Sequence, residues 1–112
     1  MSLLEKHCQA CEGGVAPLTT DEANKYLKKI SGWTLENDNK AIVRQFAFKN
    51  YYHTMAFVNA VAYMAHFENH HPDLQVSYNS CTVLYTTHAI GGLSENDFIC
   101  AAKVDKLREQ GK

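Results

Sequence analysis

The sequence lacks a basic stripe, a long apolar run and a secretory leader pattern. Its formal net charge is −1, which argues against nonspecific affinity for nucleic acid. Its apolar runs are interrupted by His, Asn or Thr well short of the roughly 20 residues needed to span a bilayer. The start, MSLLEKHCQACEGG, has no basic segment followed by an apolar run. We therefore expect no secretory signal, no membrane association and a cytoplasmic location.

The sequence also has few cysteines. They are Cys8, Cys11, Cys81 and Cys100, and in a reducing compartment we expect free thiols rather than a disulfide framework. Cys8 and Cys11 form a C-x-x-C beside His7, a spacing found in zinc and redox sites. No second C-x-x-C completes a tetrahedral ligand set, however, so we predict no metal there.

The composition that is present is that of an ordinary globular protein. Apolar residues make up 46% and charged residues 21% of the 112 residues, which suffices for one domain with a single core. We assign residues 18–112 to that domain and expect residues 1–17 to be a flexible N-terminal segment.

The pattern along the chain predicts a helix, two strands, a second helix, two more strands and a third helix. Thr19 and Glu22 have capping-box spacing before the first helix, and the polar turn at residues 36–39 separates the first two strands. Asn50 is a suitable N-cap for a long second helix, and Ser94 for the last one. This order predicts an α+β fold, a two-layer arrangement of a four-stranded antiparallel sheet with three helices on one face.

The register of the last two strands decides where the histidines lie. A two-residue loop at residues 79 and 80 sets Leu74 opposite Tyr85 and His71 opposite His88. This register aligns the apolar residues of both strands on one face, whereas a one-residue slip would destroy the agreement. Cross-strand neighbours have Cβ atoms about 4.5–5.5 Å apart. We therefore predict that His71 and His88 share a small site on the face away from the core.

Histidine is concentrated in the stretch HFENHHPDLQVSY, which supplies His70 and His71 to that site. Pro72 restricts His71 to an extended backbone. Three convergent histidines fit a zinc site, and His66 has H-x-x-x-H spacing with His70. They fit acid–base catalysis as well, because imidazole has a pKa of roughly 6.5. A solvated polar patch is the third possibility, and spacing alone leaves all three open.

The stretch HFENHHPDLQVSYNSCTVLYTTHAIGGLSEND resembles the signature of the pterin-4a-carbinolamine dehydratases, also called 4a-hydroxytetrahydrobiopterin dehydratases. The likeness covers most of the chain, and CQAC near the start is similar to bacterial members. His66 stands where animal members usually carry glutamate, and Leu74 stands where they carry tryptophan. The matching positions are His66, His70, His71, Pro72, Tyr78, His88 and Asp97.

The resemblance implies a hydro-lyase that needs neither a metal nor a cofactor. Such enzymes eliminate water from 4a-hydroxytetrahydropterin to give quinonoid dihydropterin, and so recycle the tetrahydrobiopterin of aromatic amino-acid hydroxylases, as in phenylalanine hydroxylation. A functional link to such a hydroxylase and a homodimer or homotetramer are implied as well. The alternative function is a non-catalytic pterin-binding or protein-dimerisation module of the transcriptional-coactivator kind.

The resemblance also assigns roles to residues. It makes His70 and His88 the acid–base candidates, while His71 positions the pterin and assists. Asp97 has capping-box spacing with Ser94, which favours structural support as much as catalysis. The residues expected to bind or brace the substrate are His66, Asn69, Pro72, Thr86, Thr87 and Asp97.

Overall fold

The computed structural model describes residues 2–10 and 15–110 of the chain. It confirms the predicted α+β fold and the predicted order of elements. Short 3₁₀ turns lie at Leu3–Glu5 and His88–Ile90. The main elements are α1 (Thr20–Leu27), β1 (Thr34–Glu36), β2 (Ala41–Ala47), α2 (Tyr51–Glu68), β3 (Asp73–Val76), β4 (Ser80–Tyr85) and α3 (Glu95–Gln110).

The four strands form one antiparallel sheet in the order β1-β2-β4-β3. Burial alternates along β4, as expected for a strand with a single core face. Residues from that face pack with α2 and α3 into the hydrophobic core. Its fully buried members include Ile42, Val61, Val83, Tyr85, Phe98, Ile99 and Val104.

The predicted helix starts are confirmed by their hydrogen bonds. The Thr19 N–H donates to Glu22 Oε1 at 2.9 Å, and the Glu22 N–H donates to Thr19 Oγ1 at 3.2 Å. Asn50 Oδ1 accepts from the His53 N–H at 3.0 Å at the start of α2. These bonds satisfy backbone donors that a helix N-terminus would otherwise leave unpaired.

The end of α2 determines where the histidine pair emerges. Asn69 adopts the left-handed conformation, with φ 54° and ψ 41°. Its N–H donates to His66 O at 3.2 Å, and the His70 N–H donates to Ala65 O at 3.1 Å. Together these bonds form a Schellman motif, which ends the helix and reverses the chain. His70 and His71 therefore leave the helix in a fixed direction toward β3.

The predicted register of β3 and β4 is wrong by two residues. Leu74 lies opposite Val83, and Val76 lies opposite Cys81. The turn lies one residue earlier than predicted: the Ser77 N–H donates to Ser80 O at 2.9 Å, so residues 78 and 79, and not 79 and 80, lie between the bonded positions. A shift by two leaves every side chain on its predicted face, because side chains alternate with a period of two.

Two consequences of the predicted register also need correction. β4 ends at Tyr85, and His88 lies in the following 3₁₀ turn, so His71 and His88 are not cross-strand partners. Alternation continued past Val76 would put Tyr78 on the core face, but Tyr78 lies in the loop between β3 and β4 and is 64% exposed.

The described part of the N-terminal segment packs on the domain. Leu3 is buried in the core, and the Lys103 ammonium donates to Leu4 O at 3.1 Å. The flexibility expected of residues 1–17 stays a prediction, and these contacts would restrain it. In the part of the chain that the structure describes, no helix is both long and apolar enough to cross a membrane.

Candidate active site

The most buried polar contact near the histidine pair joins His70 to Asp97. His70 Nε2 and Asp97 Oδ1 are 2.6 Å apart. The Asp97 side chain is fully buried, and that of His70 is 14% exposed. α2 delivers the histidine through its C-terminal reversal, and the first turn of α3 delivers the aspartate. The ring is thus held by a charge-assisted hydrogen bond between two helices.

The second oxygen of Asp97 is held by two further donors. Asp97 Oδ2 accepts from Thr87 Oγ1 at 2.8 Å and from the Ser94 N–H at 2.9 Å. Because the Thr87 hydroxyl donates to the carboxylate, it accepts from Ser94 Oγ, which lies 2.8 Å away. The spacing of Ser94 and Asp97 therefore corresponds to a hydrogen bond at the start of α3. The same carboxylate also orients His70. Asp97 thus supports the start of α3 and contacts a candidate catalytic histidine at the same time.

Tyr85 fixes His70 from another side. The two rings stack with centroids 5.2 Å apart and planes inclined by 18°. The Tyr85 hydroxyl donates to the His70 backbone carbonyl at 3.2 Å. This places His70 on the core side of the sheet, and the expectation that the trio lies wholly on the opposite face is wrong for His70.

These surroundings shift the pKa of His70. Burial lowers the pKa of the imidazole, but the hydrogen bond to Asp97 and the charge of that carboxylate raise it by more. The net result is a pKa above the ordinary value of about 6.5. His70 therefore keeps its proton to a higher pH than a free imidazole would.

His71 and His88 meet at the surface beside this buried pair. Both are exposed, and their ring centroids lie 6.5 Å apart. The convergence of the two histidines is confirmed, although it arises by a different route from the predicted one. The 3₁₀ turn after β4 brings His88 back toward the residue that follows His70.

A small closed loop holds His88 in place. The Thr87 N–H donates to Gly92 O at 3.0 Å, and the Gly92 N–H donates to Thr87 O at 3.4 Å. Gly91 has a φ of 68°, which an L side chain rarely adopts. A Cβ on Gly92 would lie 2.7 Å from Pro17 Cβ. The loop is closed at its base by Thr87, whose side chain also holds Asp97.

An open cavity of about 380 Å³ lies against the histidine pair, between the end of α2 and β3. Ligand pockets typically measure roughly 300–1,000 Å³. Its polar wall contains four of the residues expected to bind or act on substrate, with Pro72 beside them. The lining consists of Val61, Ala62, Ala65, His66, Asn69, His70, His71, Pro72 and Leu74.

Two expected substrate residues have another role in the structure. The Thr86 hydroxyl donates to Lys40 O at 2.6 Å, in the turn before β2. This bond ties Thr86 to the neighbouring strand. Asn69 occupies the left-handed position that ends α2. It also lines the cavity. The structure shows its role in the backbone, and its contact with substrate stays a prediction.

Sequence reasoning missed two residues that contact His70, Tyr85 and Cys100, and the role of Glu68 two positions before it. Tyr85 was assigned to the core face alone, and Glu68 and Cys100 received no role. Glu68 accepts from the Cys8 N–H at 2.9 Å, and Cys100 Sγ lies 3.9 Å from His70 O. Their positions depend on contacts between distant parts of the chain, which no local pattern encodes.

The metal predictions can be tested only in part. Within residues 2–10 and 15–110, no group of three or more His, Cys, Asp or Glu side chains is arranged to hold a metal ion. Cys11 lies outside the described residues, so the C-x-x-C prediction is untested at that position.

Comparisons with known proteins find related sequences over most of the chain. The sequence model of the family described as Pterin 4 alpha carbinolamine dehydratase matches residues 16–107. A relative from Nitrosomonas eutropha, provisionally named pterin-4-alpha-carbinolamine dehydratase, is 64% identical over 106 residues, which cover 94% of this chain and 92% of the relative. A relative of the same name from Legionella pneumophila is 54% identical, with 94% of each chain covered.

A solved structure is similar to the chain as well. It is described as a transcriptional coactivator/pterin dehydratase from Brucella melitensis, and its sequence is 32% identical. The match has a TM-score of 0.78 and covers 81% of this chain and 97% of the solved one.

Proposed function

Because this chain belongs to the pterin-4a-carbinolamine dehydratase family of hydro-lyases, we propose that it eliminates water from a 4a-hydroxytetrahydropterin by histidine acid–base catalysis. The observation that carries this proposal is the buried His70–Asp97 bond beside a cavity that also presents His71. The product is quinonoid dihydropterin.

The elimination needs two proton transfers. The C4a–O bond breaks as the departing hydroxyl gains a proton, and a C4a=N5 double bond forms as N5 loses one. His70 suits the first transfer, because Asp97 raises its pKa and the imidazole therefore holds its proton to a higher pH. Its Nε2–H donates to Asp97, which leaves the Nδ1–H to donate to the hydroxyl.

His88 is the candidate base for the N5 proton. It is exposed at the edge of the site and close to the ring of His71, so substrate can reach it without rearrangement of the core. His71, which precedes Pro72 in an extended segment, is suited to position the pterin. His66, Asn69 and Pro72 line the same cavity and would contact the ring system.

Single-residue variants test these roles. Replacing His70 or His88 by alanine should lower kcat by about 10² to 10⁴, the usual cost of losing a general acid or base. His71→Ala should raise KM more than it lowers kcat. His53→Ala is the matched control, because His53 is an exposed histidine at the other end of α2. Enzymatically generated carbinolamine, followed by ultraviolet absorbance, gives the rates.

The double variant of His70 and His88 tests whether the two act on one event. Its loss should be smaller than the product of the single losses, as expected for residues that act as a unit. Multiplicative losses would assign the two histidines to separate steps. A near-wild-type rate for either single variant would refute its role. Activity should also survive prolonged chelation, and a loss restored by zinc alone would overturn the acid–base assignment.

We further propose that the chain acts in the cytoplasm as a homodimer or homotetramer and regenerates the pterin of an aromatic amino-acid hydroxylase. Exposed aromatic residues on α2 support self-association: Tyr52, Tyr63 and Phe67 are 80%, 76% and 73% exposed. A coupled assay should show faster hydroxylase turnover on addition of the chain, and light scattering gives the oligomeric mass. The alternative, a non-catalytic coactivator-like module, predicts pterin binding or dimerisation without turnover.

A further inference from the structure

The N-terminal segment contacts both helices that carry the His70–Asp97 pair, although it precedes the family match at residues 16–107. The Cys8 N–H donates to Glu68 Oε1 at 2.9 Å, near the end of α2. The Gln9 N–H donates to Asn96 Oδ1 at 3.0 Å, and Asn96 Nδ2 donates back to Gln9 O at 2.6 Å. The backbone at Cys8 and Gln9 is thereby held against both α2 and α3.

These bonds bring two thiols together. Cys8 Sγ lies 3.4 Å from Cys100 Sγ, in the second turn of α3. Cys8 is partly exposed, whereas Cys100 is fully buried. A disulfide needs the sulfurs at about 2.05 Å, so a movement of little more than 1 Å would join them. Cys81 is buried elsewhere in the core, on β4.

We propose that Cys8 and Cys100 form a redox-active thiol pair, which a low-molecular-weight disulfide such as glutathione disulfide converts into an intramolecular disulfide. The partly exposed Cys8 attacks first, as its thiolate, and forms a mixed disulfide while one thiolate of the reagent leaves. Cys100 then attacks the Cys8 sulfur and expels the second. The protein loses two protons and two electrons, and the reagent is reduced to two thiols.

Access to the reagent, rather than thiol acidity, sets this division of roles, because Cys8 is partly exposed and Cys100 is fully buried. The hydrogen bond from Cys8 lowers the pKa of the Cys100 thiol, against burial, which raises it. The same contact and burial raise the pKa of Cys8. In the mixed disulfide Cys8 no longer donates that hydrogen bond, and Cys100 attacks because its sulfur lies next to that of Cys8. It resolves that intermediate without exposure to the reagent.

The disulfide would connect residues 92 positions apart. It would link the N-terminal segment to α3 at Cys100, whose sulfur lies 3.9 Å from His70 O. Cross-linking so long a loop restricts the unfolded chain strongly. We expect Tm to rise by roughly 20 °C on oxidation, as the loop-entropy relation gives for a domain of this size.

The test uses the full chain, reduced, desalted and then incubated with glutathione disulfide. The intact mass should fall by about 2 Da, the mass of the two hydrogens lost. Peptide mapping should join the Cys8 peptide to the Cys100 peptide, with Cys81 still open to alkylation after unfolding. Dithiothreitol should reverse both the mass change and the rise in Tm.

Three variants make the result specific. Cys11→Ser should form the same link, which excludes a contribution from the C-x-x-C spacing. Cys8→Ser changes a residue outside the core and should abolish the link and the Tm shift. Cys100→Ala should also abolish the link and the Tm shift. If that variant does not fold, Cys8→Ser alone decides the test. A Cys8–Cys11 link in place of Cys8–Cys100, a lasting mixed disulfide on Cys8, or no reaction would each overturn the proposal.

Discussion

Asp97 combines two tasks that usually fall to different residues. Its Oδ2 accepts from the Ser94 N–H at the start of α3, and its Oδ1 accepts from His70. A fully buried carboxylate is costly unless every oxygen is paired, and here three donors pair it. The helix start thus places the side chain of Asp97 where it raises the pKa of His70.

Asp97→Asn tests that coupling. The amide keeps an oxygen for Thr87 and Ser94 but removes the charge that raises the pKa of His70. A general acid works in its protonated form, so activity is lost as pH rises through its pKa. The alkaline limb of the kcat profile should therefore move to lower pH in the variant, and kcat at pH 8 should fall by about 10² or more.

Ser94→Ala is the control for that experiment, since it keeps the Ser94 N–H bond to Asp97 and loses only the hydroxyl contact with Thr87. Its alkaline limb should stay where the wild-type limb lies. An unchanged profile in Asp97→Asn would show that the charge of Asp97 does not set the protonation of the catalytic group.

At the scale of elements, the helix ends place the site more than the sheet does. The Schellman motif at Asn69 directs His70 and His71 away from α2, and the loop closed by Thr87 and Gly92 directs His88. The residues of the candidate site thus come from two chain reversals and one helix start, each fixed by backbone hydrogen bonds.

Asn69 allows a backbone role to be separated from a substrate contact. Asn69→Gly keeps the left-handed conformation without cost, and we expect near-wild-type kcat and KM. Asn69→Val opposes a φ of 54° and should lower the free energy of unfolding by roughly 1–2 kcal/mol, with a drop in kcat as His70 is displaced. Urea unfolding and initial rates measure both. A KM that rises as much for glycine as for valine would instead show that the amide binds the pterin.

Much of this element order could be predicted from the sequence, because caps and turns are local signals. The Thr19–Glu22 box, the Asn50 cap and the antiparallel pairing follow from residue type and spacing. The β3–β4 register could not be fixed in the same way. A shift by two residues keeps every apolar side chain on its face, so alternation does not distinguish a turn at residues 79 and 80 from one at residues 78 and 79.

The candidate site could likewise be predicted in part: its residues from the sequence, but not its long-range contacts. The double histidine before Pro72 and the third histidine after β4 are visible in the sequence, and so is Asp97. The stacking of Tyr85 on His70 and the contact of Cys8 with Cys100 join residues 15 and 92 positions apart. Such contacts depend on tertiary packing, which the composition and periodicity of a single segment do not specify.

At the scale of the whole molecule, α3 connects the site to the far end of the sheet. Its first turn carries Asp97, and two turns later Asp105 binds Trp33 and Arg44. Trp33 Nε1 lies 3.0 Å from Asp105 Oδ1 and 3.1 Å from Oδ2, and Arg44 Nη1 lies 3.0 Å from Oδ1. Burial raises the pKa of Asp105, although both partners oppose that rise. This cluster holds the segment before β1 and strand β2 against α3.

Removing Asp105 should therefore affect stability without affecting catalysis. Asp105→Ala leaves the indole N–H of Trp33, a residue only 4% exposed, without its acceptor. Such a loss costs about 1–3 kcal/mol in the free energy of unfolding. Asp105→Asn keeps an acceptor oxygen and should cost less, and Glu109→Ala, at an exposed position on the same helix, should cost little. Urea titration at pH 7 measures each variant, and kcat of the folded fraction should stay at the wild-type value in all three. A drop in kcat for Asp105→Ala at full folding would mean that α3 transmits strain from this cluster to Asp97, and that the two ends of the helix are not independent.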